Sequence, residues 1–372
     1  MMHLVISGYY GFGNAGDEAI LYSILTSLRD AAQEVGEELR FTVLSADPAV
    51  TAARFNVQAV GRTDLRRIIG ALRRADAFVS GGGGLLQDVT GRNLSVSYYL
   101  GLVVLARLLG KPALLYAQGI GPVTKPFNRL LVRLFANCAS LVSVRDEESR
   151  RELGRLAVTR PPLVVTVDPV FALQAAKDSP AVTSFRDKLL PDRPVMAVSV
   201  RPWPAGNNYL REIASATDCL VQELAAQVVL LPLYPAKDLP ACRELANLLQ
   251  SPAIILEDDL SAPELLAVFA HFDLLLAMRL HALIFAAKTG LPMVGIGYDP
   301  KVDALLSLLG RQTAGKPEDL SAAGLCAAAL AEWAERAETR RFLLERSTGF
   351  AAEARRFAKE IYAFVREGAA RP

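Results

Sequence analysis

Cysteine is scarce in this 372-residue chain, and the four present carry no metal or redox signature. Cys138, Cys219, Cys242 and Cys326 lie far apart and form no CxxC, which excludes a zinc knuckle; a disulfide framework is not expected either. Histidine is scarcer still, at three residues, and no metal-ligand spacing is legible, so neither a metal nor a cofactor is expected. An excess of one charge is also missing. Lys and Arg number 41 against 39 Asp and Glu, a net +2, too small a field for a dedicated nucleic-acid binder. The opening MMHLVISGYYGFG lacks a basic segment followed by a long apolar one, so no signal peptide is expected. The longest apolar stretches are interrupted, 100–116 by Arg107 and Lys111, and 274–294 by Arg279, His281 and Lys288; neither is a clean membrane span.

What is present is a 52% hydrophobic composition, enough to exclude a disordered chain and to fill the cores of about two domains. A soluble, cytoplasmic protein is the expectation. Short Val/Ile/Leu-rich runs at 3–7, 41–45, 77–80, 113–117, 141–144 and 164–167 read as buried strands. Helix-period segments separate them at 18–31, 65–74, 96–109 and 128–137. Alternation of this kind implies a parallel sheet covered on both faces. A Pro- and Asp-rich pause at 174–193 reads as a linker, and a second strand series follows at 195–200, 228–231, 254–256, 274–277 and 293–296. The fold class is therefore α/β, with two Rossmann-like doubly wound domains facing a cleft. The expected boundaries are 1–175, a linker at 176–194, a second domain at 195–345 and a C-terminal helix at 346–372. Ligands in such sheets bind beyond the carboxyl ends of the strands, so the site is sought in the loops after strands.

Three of those loops are rich in glycine. The first strand runs into Gly8-Tyr9-Tyr10-Gly11-Phe12-Gly13-Asn14-Ala15-Gly16-Asp17-Glu18, which spells GxGxxG. A dinucleotide reading is opposed by Asp17 and Glu18 at the place of the pyrophosphate, and by a missing ribose-binding acid about 20 residues on. Either Asp17 only caps the helix, or Gly13, Asn14, Asp17 and Glu18 line an open polar loop suited to sugar hydroxyls. Ser80-Gly81-Gly82-Gly83-Gly84 is the second run; Gly82 and Gly83 let backbone approach a ligand, and Gln87, Asp88, Arg92 and Asn93 follow. Gln118-Gly119-Ile120-Gly121-Pro122 is the third.

The charged candidates also follow strands. Arg279 and His281 stand where an apolar strand enters a helix, an anion site by dipole and by ion pair. His281 suits general acid–base work. Lys301 follows the next strand, and Arg145 and Arg201 follow two others. Beside each stands a blander reading: Arg279 pairs with an acid, His281 caps or packs, Arg145 or Arg201 makes a salt bridge. His3 and His271 read as structural.

In order, GYYGFGNAGDEAI, SGGGGLLQD, QGIGP, SVRDEES, SVRPW and MRLHALIFA…GIGYDPKV resemble the polysaccharide pyruvyl transferase family, in its CsaB-like bacterial branch. The resemblance implies a GT-B-like fold whose terminal helix often crosses back to the first domain. It implies transfer of pyruvyl from phosphoenolpyruvate to a sugar as a 4,6-ketal with release of phosphate. The implied acceptor is an N-acetylmannosamine of a lipid-linked disaccharide or polysaccharide precursor of the cell wall, in a pathway that anchors surface-layer proteins. Carried over position by position, Arg145, Arg279, His281 and Lys301 match the catalytic and phosphoenolpyruvate-binding positions, with Arg201 more weakly. The loop 11–18 and Gly82–Asp88 match the acceptor side. Arginines and a lysine suit a small, nearly trianionic donor. A GT-B glycosyltransferase or a sugar-nucleotide epimerase is the rival enzyme reading, and a silent sugar-binding module the rival from another class. A lipid-linked acceptor would place the work at the inner face of the cytoplasmic membrane; basic groups at Arg66, Arg67, Arg73 and Arg74, or Arg129 and Arg133, would meet anionic lipid, or are only a solvated helix face.

Overall fold

The computed structural model describes residues 1–88, 95–204 and 208–369; Arg92 and Asn93 lie outside the described residues. The chain divides into two units. Unit 1 comprises Met1–Phe12, Asp17–Leu173 and Phe350–Pro372, and unit 2 comprises Gly13–Gly16 and Gln174–Gly349.

Unit 1 holds one parallel sheet built from β1 (Met2–Ser7), β2 (Leu39–Ser45), β3 (Gln58–Gly61), β4 (Ala77–Ser80), β5 (Gly83–Leu86), β6 (Ala113–Ile120), β7 (Leu141–Val144) and β8 (Leu163–Val165). Their order is β3-β2-β1-β4-β6-β7-β8, with β5 also beside β6. The order reverses at β1, which pairs with β2 on one side and β4 on the other. Unit 2 holds β9 (Val195–Ser199), β10 (Gln227–Leu230), β11 (Ala253–Ile255), β12 (Leu274–Ala277) and β13 (Met293–Gly295), in the order β11-β10-β9-β12-β13. Here the reversal falls at β9, between β10 and β12. Both sheets are Rossmann-like, and their central strands are buried on both faces.

The departures from the sequence reading have local causes. The polar edge strand β3 is only half-buried, so it shows no apolar run. The second glycine run is not loop throughout: Gly83–Leu86 pairs with β6. The helix Pro48–Phe55 is announced by its Asp47 N-cap and Pro at its start. The stretch read as a linker contains the helix Pro180–Arg186, capped by Ser179 and anchored by the buried Phe185, whose ring meets Phe272.

A single disulfide, Cys219–Cys326, stands against the expectation drawn from cysteine spacing. Its partners are 107 residues apart, on the helices Asn208–Leu224 and Ala322–Ala334 that pack on one face of the unit 2 sheet. Spacing along the chain carries no signal for such a pair. The helix Arg336–Ala369 serves both units. In unit 2, Ser347 Oγ donates to Ala287 O. In unit 1, Phe357 meets the Tyr116 ring and Tyr362 donates to Glu37.

Candidate active site

In unit 2 the switch point lies between β9 and β12, where the crevice at the carboxyl ends of a doubly wound sheet takes its ligand. Arg201 follows β9. Its guanidinium lies 4.4 Å from the centre of the Tyr298 ring and 5.9 Å from Trp203. Trp203 Nε1 donates to Glu318 at 2.7 Å, and Tyr209 Oη donates to the Arg201 carbonyl at 2.8 Å, so both backbone and ring wall are tied down. The Arg201 Nε is buried and makes no hydrogen bond, and no carboxylate pairs with this residue, among the described residues. The expectation of a salt bridge at Arg201 is therefore not met there.

Arg279 follows β12 and does meet an acid. Its Nε donates to Asp238 Oδ2 at 2.9 Å and its Nη2 to Oδ1, a bidentate pair. Asp238 is fully buried in the helix Pro235–Leu248 after β10, and also accepts the Tyr234 amide at 2.8 Å. Burial pushes the Asp238 carboxyl above its ordinary value, opposed by the hydrogen bond and charge of Arg279 and then by Arg201. Lys301 follows β13 at some distance and sits 3.1 Å from Asp299, which caps the helix Pro300–Leu308. Two of the three cations are thus balanced by a carboxylate, and the surplus positive charge falls on Arg201.

His281 is the second residue of the helix Leu280–Thr289, with Arg279 as its N-cap. Beside it lies a segment that the sequence reading placed on the acceptor side. The Ala15 amide donates to Leu233 O at 2.8 Å, and a Cβ at Gly16 would overlap the His281 ring. Gly16 serves the close approach of an imidazole, not of a phosphate. Gly13 is exposed with a positive φ of 72°, and Asn14 Oδ1 accepts the Gly16 amide.

In unit 1, Glu18 is buried and turns back to accept the Gly11 amide at 2.8 Å. Asp17 lies against Gly83, and Gly82 packs on Ile20 and the backbone of β6. The buried Gln118 donates to Ser80 O and Gly81 O, pinning the second glycine run. Gln87 packs on Gly121. Asp88 faces inward: it accepts from Thr124 N, Thr124 Oγ1, Lys125 N and Asn128 Nδ2 at 2.8–3.1 Å. Burial alone would raise this carboxyl, but those donors outweigh it and hold it at about 2. Asp88 thus ties the start of the helix Pro126–Phe135 with both of its carboxylate oxygens. Arg145 follows β7, and its Nη1 donates to the buried Asp168 at 2.9 Å, with Asp146 at 3.7 Å. For this residue the salt-bridge reading holds. Its guanidinium lies where a Gly119 Cβ would stand.

Sequence reasoning missed the aromatic side chains. Tyr9 and Phe12 stack at 4.0 Å, and the Arg62 guanidinium lies 5.0 Å from Phe12 and 4.5 Å from Tyr98. These half-buried groups form a flat wall at the strand ends of unit 1. Tyr10 and Tyr99 lie deeper; burial pushes both phenols up, and neither hydroxyl has a partner among the described residues. The signal lies in the GYYGFG loop itself, where three rings stand among three glycines. Asp238 was missed because the loop after β10 carries no glycine run. The other two histidines stay structural: burial pulls both below the ordinary imidazole range, and His3 bonds Thr42 at 2.9 Å.

A model of polysaccharide pyruvyl transferases matches residues 14–300, most of the chain. The chain belongs to the polysaccharide pyruvyl transferase family. No curated protein matches the sequence significantly. Solved structures share the fold at low identity. UDP-GlcNAc 2-epimerase of Neisseria meningitidis bound to UDP-GlcNAc is 12% identical with a TM-score of 0.65, over 97% of this chain and 99% of the epimerase. HepE of Anabaena in complex with UDP-glucose is 12% identical with a TM-score of 0.64, over 99% and 100%. A glycosyltransferase of Rickettsia africae is 11% identical with a TM-score of 0.61, over 98% of each chain. This pyruvyl transferase thus has the GT-B-like architecture of two Rossmann-like units. No helix among the described residues is long and apolar enough to cross a membrane, and none of these residues group as three or more potential metal ligands.

Proposed function

We propose that this pyruvyl transferase moves the pyruvyl group of phosphoenolpyruvate onto a sugar of a polysaccharide precursor as a cyclic ketal. The observation that carries the proposal is Arg201, a cation held against the Tyr298 ring at the β9 switch point with no carboxylate of its own among the described residues. Phosphoenolpyruvate brings a carboxylate and a phosphate. Arg201 takes one of them, and Arg279 and Lys301 orient the rest from their carboxylate pairs. Arg145, already balanced by Asp168, contributes orientation and little net charge.

Two sugar hydroxyls add to C2 of the donor. The proton of the first goes to C3, making the methyl group; the second displaces phosphate, whose oxygen takes the other proton. His281 is the proton carrier, and Arg201 and Arg279 stabilise the departing phosphate. The stacked Tyr9 and Phe12 beside Tyr98 offer rings for a sugar face, with Asn14 and Asp17 nearby in sequence as hydroxyl partners. The 4,6-ketal on a lipid-linked N-acetylmannosamine is the acceptor form that the family resemblance favours.

The test is mass spectrometry of sugar acceptors incubated with the full chain and phosphoenolpyruvate. The expected product is the acceptor plus pyruvate less water, with one phosphate released per ketal. Release of UDP from a UDP-sugar without any such product would assign the chain to the glycosyltransferase reading. His281→Ala with intact folding and wild-type turnover would remove the imidazole from the mechanism.

A further inference from the structure

The helix Pro126–Phe135 presents a face that the transfer reaction does not use. Its inner side is conventional: Asn128 and Val132 are buried, Leu131 and Phe135 are half-buried, and all four face the unit 1 core or the helix Ser95–Leu108. Its outer side is not. Phe127, Leu130 and Leu134 are 65%, 50% and 52% exposed, and their +3, +4 spacing aligns them in one stripe. Arg129 and Arg133, both exposed and four residues apart, form the adjoining stripe, and Lys125 precedes the helix. The four donors to Asp88 fix the N-terminal end of this helix, so the exposed rings and leucines belong to a seated element and not to a frayed one.

The charge around it is segregated. Residues 89–145 contain seven Lys and Arg and not one Asp or Glu, which leaves 34 basic against 39 acidic residues in the remainder. The neighbouring helix Ser95–Leu108 ends in Arg107 and in Leu108, which is 79% exposed, and Lys111 follows. Large apolar side chains flanked by cations along the same helix are the pattern of a helix lying in a lipid interface, with the apolar stripe at the acyl boundary and the cations at the headgroup phosphates. A second copy of the chain fits poorly. A two-fold contact through this face would oppose Arg129 and Arg133 to their own copies without an acid on the same helix to relieve them.

We infer that the outer face of Pro126–Phe135 is a peripheral docking surface for an anionic lipid bilayer. It begins directly after the third glycine loop, so a bilayer held there lies next to the strand-end edge of unit 1. The inference needs no turnover, and its failure would leave the transfer reaction untouched.

The test is flotation of the full chain with vesicles of phosphatidylcholine alone and of phosphatidylcholine mixed with phosphatidylglycerol. Binding to the mixed vesicles is expected, at least about tenfold tighter than to neutral ones and weakened by salt. R129E/R133E and, separately, L130S/L134S are each expected to reduce it by roughly tenfold or more; the thermal midpoint of L130S/L134S stays near wild type because both leucines are exposed, while R129E/R133E also loses the Arg129 bond to Val123 O. Equal binding to neutral vesicles, no binding to either at low salt, or binding that survives both variants would overturn the inference. So would a solution dimer that L130S/L134S dissociates, which would assign the face to a second copy.

Discussion

At the end of β7, Arg145 meets two carboxylates, Asp168 and Asp146; at the end of β9, Arg201 meets two aromatic rings and, among the described residues, no carboxylate. Both arginines directly follow a parallel strand, Arg201 the central β9 and Arg145 the outer β7, and their energetic positions differ. A guanidinium balanced by a buried acid is part of the fold, because removing it leaves an uncompensated charge. A guanidinium held by cation–π contacts keeps its hydrogen-bonding fork for something else. The same contrast runs through the neighbours. In unit 1, Glu18 and Asp88 spend their oxygens on backbone amides. In unit 2, Asp238 and Asp299 each hold a cation in place at the strand-end edge.

The contrast breaks most visibly under substitution of Arg145. Arg145→Ala takes the guanidinium from the buried Asp168, which keeps the Val170 amide, and is expected to destabilise the chain by about 3–5 kcal/mol, read from denaturant midpoints. A cost below about 1 kcal/mol would mean that the pair is not structural. Gly16→Ala probes the other unit. The new methyl must displace the His281 ring, and turnover is expected to fall roughly 10–100-fold with a stability loss of about 1–3 kcal/mol; unchanged turnover would show that the imidazole position is not used.

Asp88→Asn sharpens the view of unit 1 as internally satisfied. A loss of about 1–3 kcal/mol is expected near neutral pH. The folded carboxyl titrates at about 2, below its ordinary value, so its contribution is full above the unfolded value near 4 and is lost as pH falls through 2. The gap between wild type and variant must therefore narrow in acid; a gap that widened would reverse the sign. Glu318→Gln should matter least. The amide oxygen still accepts from Trp203 Nε1, and stability is expected to change by under about 1 kcal/mol, whereas Glu318→Leu should loosen the ring wall and weaken donor binding.

Much of this was legible beforehand. The strands are continuous apolar runs because parallel strands are buried on both faces, and runs of that kind read directly from sequence. Arg201, Arg279 and His281 stand out in the sequence because residues just past such runs fall at the strand-end edge. Asp238 was not, since it follows a strand without glycine and its partner Arg279 is 41 positions away. The partners of Asp88 were not legible for a related reason: three residues, Thr124, Lys125 and Asn128, satisfy it, and only the register of β5 beside β6 brings them close. The helix Pro180–Arg186 hid behind the prolines that in fact start it. The Tyr9–Phe12 stack was not legible, because an aromatic residue near glycine reads as packing until its neighbours are known.

Arg201 decides between a donor site and a second structural arginine. Titration of phosphoenolpyruvate into wild type and Arg201→Ala, with thermal midpoints recorded for both, should give at least about tenfold weaker binding in the variant with a midpoint close to wild type. Equal affinity in the two proteins would contradict the assignment of the donor to the β9 switch point.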